Sequence, residues 1–241
     1  MTEAYTMTAL PEGCLAVVIP CFNEVERIRP CISRVLEQSV VGEVIVVDDG
    51  STDGTSDILR NMSHERVTVR AHTTNRGKGA SVRTGFKSTS APYVVIQDSD
   101  LEQDPSDYGQ LIRPLIDGVA DVVYGSRFPD RRRLQGQYWS HFLANRFLTM
   151  LSNAATGLSL TDMETGYKAF RQEVLQNIQI EENRFGIEPE LTVKVSRGGW
   201  RIKEVRVSYS PRSFEDGKKI GWRDGLRAVY CIVRYSLRYR K

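Results

Sequence analysis

Apolar residues in this chain fall into short unbroken runs, separated by stretches of helical spacing. Residues 15–20 read L-A-V-V-I-P, 44–48 V-I-V-V-D, 93–97 Y-V-V-I-Q and 121–124 D-V-V-Y. Continuous β-branched runs of this kind suit strands buried on both faces of a parallel sheet. Between the first two, Ile28, Ile32, Val35 and Leu36 recur at helical period within 24–38. Helices are also predicted over 55–62, 79–88 and 107–118, the last opening beside Pro105 and closing at Gly118. Strand alternating with helix predicts an α/β, Rossmann-like, doubly wound and mostly parallel sheet with helices on both faces. After about residue 126 the rhythm changes. Residues 139–157 and 168–176 read as helices, 201–209 as a strand with one wet face, and 221–241 as a C-terminal amphipathic helix.

Composition narrows the class. The 241 residues are 40% hydrophobic and 26% charged, which excludes disorder, collagen or coiled coil for the whole chain and leaves ample length for a core. Lys+Arg number 33 against 30 Asp+Glu, a net charge of +3 that is too slight to suggest a nucleic-acid partner. The balance is uneven, however. Residues 211–241 carry nine basic and three acidic side chains, +6, so the remainder carries −3. Cys14, Cys21, Cys31 and Cys231 form no C-x-x-C pair and lie far from the three histidines, so no zinc site is expected and free cytoplasmic thiols are. Residues 1–14 lack a basic start and an apolar run, so no secretory signal is expected. No stretch of about 18 uncharged apolar residues is present, so any membrane role is expected to be peripheral.

Ligands of open α/β sheets bind beyond the carboxyl ends of the strands, and three predicted strands end in acidic residues. The first leads into Pro20-Cys21-Phe22-Asn23-Glu24, the second into Asp48-Asp49-Gly50-Ser51-Thr52-Asp53-Gly54, the third into Asp98-Ser99-Asp100-Leu101-Glu102. On adjacent parallel strands these carboxylates gather on one rim, where like charges repel and a cation relieves them. Hard oxygen ligands of this kind suit Mg²⁺ or Mn²⁺ bridged to a phosphate, with Asp98 and Asp100 on one side of an extended segment. Each element also has a plainer reading. D-G-S-T-D-G is an ordinary turn with a helix cap, and Asp-x-Asp recurs by chance. Their joint placement favours the site. Asn75-Arg76-Gly77-Lys78-Gly79 opens a helix and suits a phosphate, though it has neither Walker spacing nor the third glycine of G-x-G-x-x-G, whose place Val82 takes.

V-V-I-P-C-F-N-E, V-V-D-D-G-S-T-D-G-T, N-R-G-K-G, Q-D-S-D-L-E-Q-D-P and Y-G-S-R-F occur in that order, followed by T-D-M-E-T-G-Y-K-A-F-R (161–171) and Y-S-P-R-S-F-E-D-G-K-K-I (209–220). The set resembles the family 2 glycosyltransferases of GT-A fold, and within them the polyprenyl-phosphate (dolichyl-phosphate) hexose synthases. The resemblance implies a metal-dependent, inverting transfer of a hexose from UDP-glucose or GDP-mannose to a polyprenyl phosphate. It implies a nucleotide-sugar half (15–127), an acceptor-side part (128–220) and an N-terminal extension (1–14). Glu24 and Asp49 would hold the nucleoside, with Pro20 and Asn23 beside the base and Asp48 supporting the loop. Asp98 and Asp100 would bind the metal. A glutamine often follows such an Asp-x-Asp two residues later; here Glu102 stands there and Gln103 comes next. Arg127 and Arg212 match phosphate-contacting arginines. Lys78 and Lys218 (with Lys219) would reach the diphosphate.

Asp162 is either the carboxylate beside the attacking group or an N-cap for the segment after it. Arg131-Arg132-Arg133 is either a solvated loop or a contact for an anionic lipid head group. Glu188 and Glu190 read as the first turn of a helix, with reach to the sugar as the alternative. Trp222, Leu226, Val229, Val233 and Leu237 form one stripe of the last helix, beside arginines. That stripe either packs on the domain or lies in an anionic bilayer. The expected partners are a nucleotide sugar, a polyprenyl-phosphate lipid, the membrane surface and a homodimer mate or membrane protein; the expected place is the inner, cytoplasmic face of the membrane. The alternatives are the same fold acting on a hydroxyl acceptor, and a non-catalytic nucleotide-sugar-binding protein.

Overall fold

The computed structural model of the chain describes residues 10–128, 139–210 and 222–238. Seven strands form one sheet: β1 Leu15–Cys21, β2 Val41–Asp48, β3 Val67–Ala71, β4 Tyr93–Ile96, β5 Val122–Ser126, β6 Lys168–Arg171 and β7 Ile202–Arg206. Their order is β3-β2-β1-β4-β6-β5-β7, and β6 alone runs antiparallel to its neighbours β4 and β5. β1 pairs with β2 from Val17↔Val44 to Cys21↔Asp48 and with β4 from Leu15↔Tyr93 to Val18↔Ile96, so all three deliver their last residues to one rim.

Every residue of β1 is buried, as a strand covered on both faces must be. Helices α1 Ile28–Leu36, α2 Thr55–Arg60 and α4 Tyr108–Ile116 cover one face, over a core that includes Val17, Ile19, Val44 and Val46. The other face packs Val18, Ile45 and Val47 under α3 Lys78–Phe86, α5 Trp139–Thr156, α6 Gln172–Asn177, α7 Ile187–Arg197 and α8 Trp222–Arg238. Each Val or Ile so enclosed contributes about 1.5–3 kcal/mol relative to exposure. Gly85 sets the approach of α3 to the sheet, because a Cβ there would lie 2.2 Å from Val18 Cγ1.

The doubly wound sheet thus has the predicted arrangement, with corrections to its elements. β3 is an additional edge strand, half-exposed along V-T-V-R-A. Residues 168–171 form a strand rather than the start of a helix, and the helix occupies only Gln172–Asn177. α1 begins at Ile28, four residues after the predicted start, because 25–27 are spent in turns. β7 ends at Arg206, short of the predicted 209.

Candidate active site

The loops after β1 and β2 are laced together. Asn23, in the left-handed region at φ 55°, donates its amide to Ser51 Oγ (3.0 Å) and accepts from the Thr52 amide through Oδ1 (2.8 Å). The Glu24 amide donates to Thr55 Oγ1 (2.9 Å), and the nearly buried Glu24 carboxylate meets Arg27 at 3.3 Å. Pro20 is buried opposite Val47. Asp48 accepts the Ser51 amide (3.0 Å) and the Ser56 hydroxyl, which ties down the loop after β2. Asp49 has a more specific task. Its carboxylate accepts the amides of Arg76 (3.0 Å) and Gly77 (2.7 Å) and His72 Nδ1 (2.6 Å), while His72 Nε2 meets Thr84 Oγ1 at 2.9 Å. Asp49 therefore fixes the N-R-G-K-G turn from beneath, and His72, which no sequence motif marks, fixes Asp49.

That turn launches Lys78 across the rim. Its Nζ lies 2.8 Å from Asp98 Oδ1 and 3.1 Å from Glu188 Oε1. Burial favours the neutral amine, but the two carboxylates outweigh it and raise the lysine's pKa. Gln103 holds Asp98 from the other side: its Oε1 accepts the Asp98 amide (2.9 Å) and its Nε2 donates to Asp98 Oδ2 (3.3 Å). Gly166 closes over the same carboxylate. A Cβ there would come 2.1 Å from Asp98 Oδ2, so any other residue at this point would displace the Asp98 carboxylate. Leu101 adopts φ 65°, rare for a branched side chain, and the Glu102 amide turns back onto Asp100 Oδ1 (3.1 Å). Glu102 itself accepts the Tyr209 hydroxyl at 2.8 Å.

On the neighbouring part of the rim, Arg127 follows β5. Its Nε and Nη2 grip Asp162 at 2.7 and 2.8 Å, and its amide donates to the same carboxylate at 3.1 Å. Asn145 of α5 donates to Asp162 Oδ1 at 2.7 Å. The guanidinium lies over the rings of Phe128 (5.3 Å) and Tyr209 (5.2 Å). Asp162 is fully buried; burial opposes its charge, yet Arg127 and Asn145 prevail and hold its pKa below the usual carboxylate value. No helix starts after Asp162, so the capping role falls away. Arg212, Lys218, Lys219 and Arg131–Arg133 lie outside the described residues.

Behind this rim lies a buried charge cluster that the sequence did not disclose. Glu164 Oε1 and Glu188 Oε2 are both buried with no hydrogen-bond partner. Lys168 on β6 donates to the carbonyls of Met163 (3.0 Å) and Thr165 and stands 4.7 Å over the Tyr124 ring. Burial pushes its pKa down to about 8. Burial, reinforced by Glu188, pushes Glu164 from 4.5 up to about 8. The folded chain therefore keeps a proton on Glu164 that the unfolded chain releases, and this group's contribution to stability falls as pH rises from 4.5 to 8. Glu164→Gln is expected to stabilise the protein by an amount near zero at pH 5 and largest from pH 8 upward. Denaturant titrations at the two pH values check this, and a gain independent of pH would contradict it. Glu190, by contrast, is structural: it accepts the amides of Glu181 and Glu182 (2.6 and 2.8 Å) and Lys194 (2.6 Å).

A mostly parallel sheet, with an Asp-x-Asp at the end of β4 clamped by a lysine and a glutamine, defines a glycosyltransferase of the GT-A fold. The chain belongs to glycosyl transferase family 2, whose family model matches residues 16–179. It is 27% identical over 243 aligned positions to the polyprenol monophosphomannose synthase of Mycolicibacterium smegmatis, covering 97% of this chain and 91% of that one. It is 29% identical to the undecaprenyl-phosphate mannosyltransferase of Micrococcus luteus, over 92% of this chain and 94% of that one. Among solved structures, glucosyl-3-phosphoglycerate synthase from Mycobacterium tuberculosis, in complex with Mn²⁺, UDP and glucosyl-3-phosphoglycerate, matches with a TM-score of 0.70. That match, at 20% identity over 92% of this chain and 79% of that one, speaks for the fold alone. Membership of the family sets aside the non-catalytic alternative.

Proposed function

We propose that this glycosyltransferase moves a hexose from a nucleotide sugar to a polyprenyl phosphate, with inversion at the anomeric carbon. The observation that carries the reading is the rim itself: Asp98 under Lys78 at the end of β4, and Arg127 held ready by Asp162 beside it. The names of the two mannosyl-transferring relatives agree with it.

The nucleoside lies over the ends of β1 and β2, against Pro20, Asn23, Glu24 and the loop that Asp48 supports. Asp49 acts through the N-R-G-K-G turn, whose amides it aligns. Lys78 exchanges part of its carboxylate contact for the diphosphate. Asp98 and Asp100 would hold Mg²⁺ or Mn²⁺. Two half-buried carboxylates are too few for a protein cage, and among the described residues no group of three metal-ligating side chains stands together. That donor set fits a cation that completes its shell with diphosphate and water oxygens. When bound, the cation neutralises charge on the departing nucleoside diphosphate.

Breaking the sugar–phosphate bond moves negative charge onto the leaving diphosphate, where Lys78 is fixed in advance to meet it. Arg127 positions the acceptor's phosphate, which is already an anion and needs no base to attack from the opposite face. Asp162 serves by orienting Arg127, its oxygens being engaged. Arg212 and Lys218 are proposed as further phosphate contacts. The protein is placed peripherally on the inner face of the membrane.

A second reading has one observation in its favour. The unpartnered Glu188 Oε2, one lysine away from Asp98, is placed to act as the base that a hydroxyl acceptor would require. Radiolabel transfer from UDP- and GDP-sugars, with Mn²⁺ or with EDTA, separates the two. Metal-dependent label in an acid-labile lipid is expected. Label appearing only on a polar glycan or small-molecule hydroxyl would replace the lipid reading with the second.

A further inference from the structure

The loop 178–186, between α6 and α7, meets the N-R-G-K-G turn backbone to backbone. A Cβ at Gly77 would lie 2.4 Å from the Asn183 carbonyl oxygen, and one at Gly79 would lie 2.3 Å from that of Glu182. The Ala80 amide donates to the Asn183 carbonyl (3.1 Å). Arg83 of α3 donates to the Ile180 carbonyl (3.1 Å) and to Asn183 Oδ1 (2.7 Å). The loop then runs into α7, whose Glu188 meets Lys78 itself at 3.1 Å. Contacts this close leave no slack, so a shift of the loop passes directly to the turn.

What holds the loop from the other side is α8. Glu182 is buried, and its carboxylate accepts Arg227 Nε (3.1 Å) and Nη2 (2.8 Å) and the Tyr235 hydroxyl (3.0 Å). Gly186 lets Cys231 of α8 come close to the same place: a Cβ there would lie 2.8 Å from Cys231 Sγ and 2.9 Å from Glu182 Oε2. Arg238 adds a contact to Glu181 at 2.7 Å. Glu182 thus faces the turn with its carbonyl and α8 with its side chain. A buried ion pair is a weak source of stability, because desolvation offsets the attraction. What this one fixes is the relative place of the two elements it joins.

We propose that Glu182, clamped by Arg227 and Tyr235 of α8, is a positioning residue for the turn that meets the donor's diphosphate. The C-terminal helix thereby acts on donor affinity through a single side chain. The proposal rests on the reading of N-R-G-K-G as a diphosphate contact. With the clamp closed, the amides of Arg76 and Gly77 stay on Asp49 and Lys78 stays between Asp98 and Glu188. With the clamp open, the loop can back away from Gly77 and Gly79, and Lys78 loses the geometry that sets it in advance.

The test compares the full-length wild type with three variants. Arg227→Met opens the clamp but strands the Glu182 charge. Arg227→Met combined with Glu182→Gln opens it and removes that charge, which keeps a folded protein to measure. Arg201→Met breaks the Arg201–Asp121 pair (2.7 Å) before β5, at the end of the sheet away from the rim, and controls for lost stability alone. In the free protein, hydrogen exchange at the amides of Arg76, Gly77 and Ala80 should quicken about 2–30-fold in both clamp variants and stay at the wild-type rate in Arg201→Met. The Kd of UDP or GDP, whichever wild type binds, should rise by a similar factor, and donor KM with it, while kcat changes less. Unchanged exchange at the three amides in the folded double variant overturns the proposal, as does equal quickening in Arg201→Met. Quickened exchange with an unchanged Kd leaves the clamp standing and overturns the reading of the turn as the diphosphate site.

Discussion

Replacing Arg127 by methionine should cost about 3–5 kcal/mol of stability, because it strands the fully buried Asp162 carboxylate. Asn145 and the backbone amide of residue 127 cannot balance a full charge there. A domain of this kind has about 5–15 kcal/mol in total, so the loss is a large share of it. The opposite deletion is milder. Arg127 keeps 20% exposure of its side chain and the faces of Phe128 and Tyr209, so Asp162→Asn should cost about 1–3 kcal/mol. Combining Arg127→Met with Asp162→Asn should recover much of the first loss, as contacting partners do. Activity should not follow stability. Both variants lacking Arg127 should fall about 10²–10³-fold in kcat/KM, since the fixed charge proposed to meet the acceptor's phosphate is gone, whereas Asp162→Asn alone should fall less. Urea titrations and transfer rates at a temperature where all variants are folded decide the matter. An Arg127→Met protein as stable as wild type would refute the account of the pair, and a double variant with restored activity would remove Arg127 from the reaction.

Asp100→Asn should leave the fold intact and abolish most of the transfer, by about 10²–10³-fold in kcat/KM. Asp100 is partly exposed, and asparagine retains an oxygen for the Glu102 amide, so the turn through Leu101 survives. What disappears is one negative charge and one hard ligand of the proposed cation. The Mn²⁺ concentration for half-maximal rate should rise in parallel, while nucleoside diphosphate binding without metal should stay unchanged. Asp98→Asn is the less clean probe, because Asp98 also anchors Lys78 and Gln103. A normal rate from Asp100→Asn, insensitive to EDTA, would exclude Asp100 from metal binding.

Much of the sheet was legible because β1, β2, β4 and β5 are unbroken apolar runs, the signature of strands covered on both faces. β3 was not, because an edge strand half in water needs no such run. β6 was misread for a different reason. Lys168-Ala-Phe-Arg flows into a helical Gln172–Asn177, and nothing local announces that its first four residues fill a gap between β4 and β5. Its buried lysine is also what propensity argues against in the middle of a sheet. On α8 the sequence showed one apolar stripe and two readings for it. The helix packs on the domain largely through residues outside that stripe: Ala228, Cys231, Ile232 and Tyr235 are buried, while Leu226, Val233 and Leu237 from the stripe are exposed. In the site, the acidic strand ends and Lys78 could be read from the motifs. His72, Asn145, Glu164 and Tyr209 could not, since each acts through a partner distant in sequence.

The antiparallel β6 also sets an order of events for a chain leaving the ribosome. Residues 15–96 can pair β1, β2, β3 and β4 as they emerge, but the outer edge of β4 has no neighbour until residues 168–171 exist. β5, although made earlier, cannot join the sheet directly; it must wait for the same four residues to bridge it to β4. The Asp-x-Asp therefore spends much of synthesis beside an open strand edge, a species prone to mispairing. The site is completed by a late insertion into the middle of the sheet, so nascent chains stalled before residue 168 are the ones that would need a chaperone's protection.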